Sequence, residues 1–491
     1  MKNSSTTLII DLGLNNSVAM VVEDGYATIV YGDSPGQYQF PSQVSYSQGK
    51  AYSCNSSNSG RFKFTVRNAI RLLGLTYQQF LDLPKQNDMD CEIVEHSDGY
   101  PRFVVSNEGM QKDCIEVTSD IISTIKRNAL RMCGRQAIDQ CYVAIPTNYS
   151  HDQLAALRAA LERSELPVTG FIPKPYAAFM SWYNGIKDHS SGTAVVLDCG
   201  GSAFSVASIK YEKDGQLRIL SSDGNPYLGG SSVDMRIAEM IINEVRHNED
   251  LHFDPLSKPN KRLALMRECE SAKIALSYSM NVDIDLESLG VDEEYSLSRD
   301  MLNAIVSESL LPEIEKCLWN VLKGTIDDVF LVGGSSRLLH IKDYLQSKFH
   351  CRIPDVNPEF CVVEGVANYV LNGTTTRYAY GILYGSDTVV LSLPKGREIP
   401  CNSERLVLSL NNCEFPTVTL SVYRWGGEKG KAVMMPKKDC SLVHDYVFLN
   451  PSFIKHQTAV VEIILRIDCR CRMEISVFDK ATGVEWYQAE G

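Results

Sequence analysis

Leu8-Ile9-Ile10 is a short apolar run that stops at Asp11, and a second run, Val18 to Val22, follows a Gly-containing turn. Far along the chain the pattern returns: Val195-Val196-Leu197 stops at Asp198, and Phe204 to Ile209 follows. Each pair predicts a hairpin, strand then Asp-x-Gly turn then strand. Phe330-Leu331-Val332 predicts a third buried strand, ended by Gly333-Gly334 and followed by a helical pattern from Leu338 to Lys348. Up to the polar stretch 372–377, helical and strand patterns alternate as in an α/β domain. Beyond it come short β-rich runs: Val389 to Leu391, Leu406 to Leu408, Val418 to Tyr423, Val460 to Leu465 and Met473 to Phe478. Gly, Pro and Asn separate them, which predicts an antiparallel β-sandwich. The expected organisation is an α/β part over 1–373, a linker over 372–377 and a β-sandwich over 378–491.

Composition adds little to the fold and more to the setting. The 491 residues, 44% apolar and 22% charged, exclude wholesale disorder. Forty-eight basic against 60 acidic side chains leave a net charge of −12. That balance gives no general attraction to nucleic acid or anionic membranes, so no direct nucleic-acid or membrane partner is expected. The excess lies in the α/β part; residues 374–491 carry 14 basic and 13 acidic groups. Fifteen cysteines without a repeating spacing fit a reducing compartment. No segment is long and apolar enough for a spanning helix, and Leu8 to Ile10 is too short for a signal core, so the cytoplasm is expected.

The turns are where chemistry is expected. A tight Gly turn exposes backbone N–H groups that can cradle phosphate oxygens. Asp11 and Asp198 each stand where a carboxylate can hold water around Mg²⁺. Gly333-Gly334 lets a sugar or phosphate approach closely, ahead of a helix N-terminus that favours anions. Singly, each Asp-x-Gly also reads as an ordinary hairpin turn. The three in this order look like the actin-like nucleotide clamp of sugar kinases and chaperones.

Further residues narrow the resemblance to the heat shock protein 70 (DnaK-type) chaperones, over nearly the whole chain. Asp11 to Ser17, with Gly13, Leu14 and Asn15, resembles the first phosphate loop, and Asp198-Cys199-Gly200-Gly201-Ser202 the second. Val143 to Pro146 and Pro173 to Ala178 resemble the segments flanking the crossover helix. Leu228-Gly229-Gly230 with Asp234 resembles the second-lobe loop. Glu270, Lys273 and Ser277 fall on the adenosine-contacting helix, and Gly333, Gly334, Ser335 and Arg337 on the adenosine loop. Asp355 to Pro358 and Glu364 to Ala367 resemble the closing segment. The resemblance implies a two-lobed, actin-like nucleotide-binding domain, lobe I about 1–188 and 361–373 and lobe II about 189–360. It implies ATP or ADP with Mg²⁺ as ligand, the metal held through water by Asp11 and Asp198. The β-sandwich would correspond to the peptide-binding domain, without the family's helical lid.

The departures fall on the catalytic positions. Ile70 stands where the family has its catalytic Lys, and Lys174 where it has Glu. In the second phosphate loop Ala203 replaces a Thr and Ser205 an Asp. Leu14 and Asn15 replace the usual threonines, and Ile274 the adenine-stacking Arg. Phosphoryl transfer rests on positioning and electrostatics, and losing one such group typically costs about 3 kcal/mol of transition-state stabilisation. Hydrolysis is therefore expected to be weak or absent, with no catalytic residue assigned, while binding survives. Lys174 is expected to keep a positive charge near the phosphates.

The sequence thus reads as a divergent chaperone or co-chaperone that binds ATP and assists folding through partners. Its expected outline is similar to the lidless partner of a J-domain protein in ribosome-associated complexes, which implies a J-domain co-chaperone and the ribosome as partners and extended peptides on the sandwich. The alternatives are an active ATP-driven foldase with a rearranged site and a nucleotide-free scaffold. The linker has no apolar residue to dock on the nucleotide domain, which puts coupling between the domains in doubt. Cys413, Cys440, Cys469 and Cys471 lack zinc-pair spacing and read as buried thiols. Trp425 to Lys431 lacks the length of a P-loop and reads as a hairpin turn.

Overall fold

The computed structural model describes residues 5–24, 26–32, 36–48, 50–53, 64–84, 91–183, 191–211, 217–248, 259–287, 294–322, 324–372, 379–395, 397, 401–411, 415–425, 434–450, 458–467 and 473–488. Linker residues 373–377, the Gly-rich turn 426–431, and Cys413, Cys469 and Cys471 lie outside them. The chain divides into two compact units, Met1–Leu371 and Asn372–Gly491.

The first unit is built on two sheets with the same central motif. Strand Thr7–Asp11 pairs antiparallel with Asn16–Glu23 and parallel with Gln140–Ile145, which pairs parallel with Val168–Pro173. Strand Gly192–Cys199 pairs antiparallel with Phe204–Tyr211 and parallel with Asp328–Val332. Thr7–Ile10 and Ala194–Leu197 of the central strands are buried, as strands covered on two faces must be. The first ends at its aspartate and the second one residue past it, where the hairpins turn: Asp11 lies opposite Val18, and Asp198 opposite Ser205. The sequence repeat is therefore a structural repeat.

Helices complete each half. The 20-residue helix Cys114–Cys133 begins with a capping box between Asp113 and Glu116 and ends at Gly134 in the left-handed region. Its buried stripe, Val117, Ile121, Ile122 and Ile125, joins Leu8, Ile10, Val143 and Phe103 in the first core. In the second half, helices Gly230–Asn248, Arg299–Ser309 and Leu311–Val321 put Ile237, Ile241, Ile305 and Ile314 against Val195, Leu197 and Val206.

The second unit is two antiparallel sheets. One orders Met434–Pro436, Thr388–Leu393, Ala379–Tyr384, Thr417–Trp425 and Ser441–Leu449. In the other, Thr458–Ile467 is flanked by Leu406–Asn411 on one side and Met473–Asp479 on the other. Their inner faces, with Ile382, Val422, Phe448, Val461, Ile463, Val477 and Trp486, share one core. The five predicted runs all lie in strands. Ala379–Tyr384 and Ser441–Leu449 escaped notice because a Gly interrupts the first and exposed polar positions break the second. Gly381 is there for a reason: a Cβ would press on the backbone of Val390 and Leu391 across the strand pair.

Candidate nucleotide cleft

The carboxyl ends of the two sets of parallel strands supply the site, the usual position for ligands in such sheets. Asp11 ends one central strand and Asp198 is the last residue but one of the other, and Lys174 opens helix Lys174–Tyr183 directly after strand Val168–Pro173. Lys174 Nζ forms an ion pair with Asp11 Oδ1 at 2.8 Å, the two side chains being 13% and 18% exposed. The same ammonium donates to the Leu12 carbonyl at 3.4 Å. Burial alone would lower the Lys174 pKa, but Asp11 and then Asp198 outweigh it and hold it above the usual lysine value. Burial pushes Asp198 upward, Lys174 draws it down and Asp11 adds to the rise, leaving it raised. Tyr149 shares this pocket of charge; burial raises its phenol, against the pull of Lys174.

This arrangement bears on Mg²⁺. The ion holds near-octahedral oxygens at about 2.0–2.1 Å and gives up its waters reluctantly. A metal-bound water donating to Asp11 Oδ1 would compete with the ammonium already there. At an effective dielectric near 20, each unit of positive charge about 5 Å from an ammonium is repelled by roughly 3 kcal/mol, and a dication by twice that. With the ammonium seated on Asp11 Oδ1, this spot has one acceptor fewer for a hydrated dication, and Lys174 offsets part of the pull of Asp11 and Asp198 on it. Among the described residues, no group of three or more His, Cys, Asp and Glu side chains could hold a metal elsewhere.

Between the halves lies a cleft of about 1450 Å³. Leu14, Asn15, Ser202, Glu270 and Ile274 line it. Ile274 is 55% exposed there, an apolar surface against which a flat base can pack. Asp11, Lys174, Asp198, Lys273, Ser277 and the residues from Gly333 to Arg337 are not among the lining groups. The two phosphate-type turns touch across it: Ser202 donates to Asn15 Oδ1 at 2.5 Å, and Asn15 Nδ2 to Ser231 Oγ at 3.5 Å.

Several glycines serve by smallness rather than by donating. The Gly200 N–H goes to the Ala203 carbonyl, Gly230 N–H to Gly200 and Gly333 N–H to Pro358. The expected cradle of free N–H groups is spent on the protein at these three positions. Gly333 has φ +80°, and a Cβ on it would meet the Cys199 carbonyl at 2.5 Å and Asp198 Oδ1 at 2.8 Å. Gly229 similarly lets its loop lie against Gly200 and Gly201, and Gly13 makes the first turn tight.

Lys273 is buried and engaged. Its Nζ reaches Asp234 Oδ1 at 2.7 Å and Oδ2 at 2.8 Å, and donates to the Gly230 carbonyl at 3.2 Å. It pins helix Pro259–Ala275 to helix Gly230–Asn248 rather than facing the cleft. Burial pushes the Asp234 carboxyl up to about 6, against the downward pull of Lys273. Arg337 Nε pairs with Glu359 Oε1 at 3.0 Å, and Glu359 Oε2 accepts from Gln39 Nε2 at 3.0 Å. Ser335 is buried, Gly334 exposed and Ser277 half-buried. Ile70 is 2% exposed in the first core, so a lysine there would have to leave the core to reach a ligand. Ala203 and Ser205 are half-buried beside the second turn.

Sequence reasoning passed over Arg71 and Glu359. Arg71 lies on a 3₁₀ turn beside Ile70, donates to the Ser202 carbonyl at 3.2 Å and stacks over Tyr227 at 5.0 Å. A cation thus faces the second turn from the position next to the missing lysine. Its signal in the sequence was a cation directly after Ile70; Glu359, next to Pro358, had none.

The Hsp70 protein family model matches residues 7–394. The chain belongs to the Hsp70 family. It is 26% identical over 515 residues to Heat shock 70 kDa protein BIP3 of Oryza sativa subsp. japonica, covering 97% of this chain and 74% of that protein. It is 27% identical over 508 residues to Chaperone protein DnaK of Akkermansia muciniphila, covering 97% and 76%. The Hsp70 family fold accounts for the α/β architecture described above. Among the described residues of this Hsp70-family chain, no helix is long and apolar enough to cross a membrane.

Proposed function

We propose that this Hsp70-family chain is a chaperone or co-chaperone that binds ATP or ADP, hydrolyses it slowly or not at all, and acts through partners. Members of the family generally bind these nucleotides with Mg²⁺. The observation that carries the proposal is the Lys174–Asp11 ion pair at 2.8 Å, in a site whose turns are retained. A cation there attracts phosphate oxygens and cannot act as the water-orienting base that a carboxylate would be. Ile70, sealed in the core, offers no charge to the transition state.

Single-turnover hydrolysis with excess protein and labelled ATP tests this. We expect retained nucleotide with little or no phosphate release; turnover equal to that of Chaperone protein DnaK measured alongside would overturn it. The sandwich is the proposed site for extended peptides, a J-domain co-chaperone the proposed partner, and ribosome association and a cytoplasmic setting belong to the same reading.

A second reading, a nucleotide-free scaffold, has one observation in its favour: the direct contact of Ser202 with Asn15 across the cleft. Mass spectrometry of nucleotide co-purifying with the chain separates the two.

A further inference from the structure

We propose that the Lys174 ammonium takes the place of the divalent cation in this chain, so that the cleft accepts nucleotide phosphates free of metal. The inference rests on the nucleotide-binding reading above and specifies the form of the ligand: an uncomplexed nucleoside di- or triphosphate.

The position of the ammonium carries the argument. It sits at the end of the central strand, 2.8 Å from the carboxylate that the family resemblance makes a metal partner. Three groups that shape the site have changed together. The carboxylate expected at residue 174 is the ammonium itself, the carboxylate expected at residue 205 is a serine, and the lysine expected at residue 70 is a buried isoleucine. The lysine expected on one side of the site and the glutamate expected on the other are replaced by a single cation on the glutamate's side. An ammonium has three donors. Asp11 Oδ1 lies at ion-pair distance and the Leu12 carbonyl accepts at 3.4 Å. Lys binds phosphate as a compact point charge, needs no coordination shell and loses no waters of a metal when ligand enters. Arg71, which lines the cleft beside Ser202, adds a second fixed cation that owes nothing to metal.

The test is calorimetric titration of ATP into the full chain, once in magnesium buffer and once in EDTA. We expect the two affinities to differ by less than about tenfold. Lys174→Glu, which restores the expected carboxylate, should bind ATP more than about tenfold tighter with magnesium than with EDTA. Lys174→Met should lose ATP affinity in both buffers and keep adenosine affinity. Paramagnetic resonance of Mn²⁺ with the parent and ATP gives an independent reading that needs no variant to fold; immobilised Mn²⁺ should not accumulate with bound nucleotide. Binding that requires magnesium, or one Mn²⁺ immobilised per bound ATP, overturns the metal-free proposal and leaves nucleotide binding standing. No binding in either buffer overturns both.

Discussion

Lys174 and Asp234 show how single ionisable side chains decide what the cleft can do. Lys174→Ala removes the ion pair with Asp11 and exposes two carboxylates to an incoming polyanion. ATP binding should weaken by about 1.5–3 kcal/mol, the range for a charge-assisted hydrogen bond, with a smaller loss for adenosine; titration of both ligands checks it. Asp234 is held by Lys273, yet burial keeps its carboxyl up at about 6. A raised carboxyl retains, in the native state, a proton that the unfolded chain has lost between roughly pH 4 and 6. Stability from this group therefore falls as pH rises through that window and levels off above it. Asp234→Asn should flatten that part of a denaturant-midpoint profile; an unchanged slope would show that Asp234 is not its source.

The helix that opens with Lys174 meets a second helix at a glycine. Helix Lys174–Tyr183 crosses helix Cys361–Asn372 where Gly365 faces Ala177 and Ser181, and a Cβ on Gly365 would overlap the Ala177 carbonyl. The backbones can approach this closely only without that carbon. Gly365→Ala should destabilise the first unit by about 1–3 kcal/mol, as overpacking does, and shift Lys174 at the start of the pushed helix. A lower melting temperature together with weaker ATP binding is the expected pair of results; a neutral substitution would mean that the helices separate without cost. At this scale the sequence was legible where apolar runs ended in turns: both hairpins and the buried strand before Gly333 lie where the pattern put them. The helix crossing was not legible, since nothing local to Gly365 marks its partner, 188 residues away at Ala177.

Across the whole molecule, the division at Asn372 separates two units with their own cores. A core closed between two antiparallel sheets predicts that residues 372–491 fold without the rest. Expression of that segment should give a cooperative thermal transition, and a broad, non-cooperative melt would show that its stability depends on the first unit.

Some of this was set by the chain alone. Alternating and continuous apolar runs specify strands and their buried faces, because burial follows side-chain period. The repeated Asp-x-Gly turns specify two like hairpins, and the replaced residues at 70, 174, 203 and 205 mark a site whose chemistry has changed. Pairing was decided only by tertiary structure. Lys174 could have faced phosphate or solvent; the parallel register of three strands sets it against Asp11. Lys273 and Arg337 read in the sequence as residues of the ligand site, and the fold pairs them with Asp234 and Glu359. The physical reason is range: side-chain period is a local property of the chain, whereas an ion pair depends on distances between segments far apart in sequence, and those exist only once the sheets have formed.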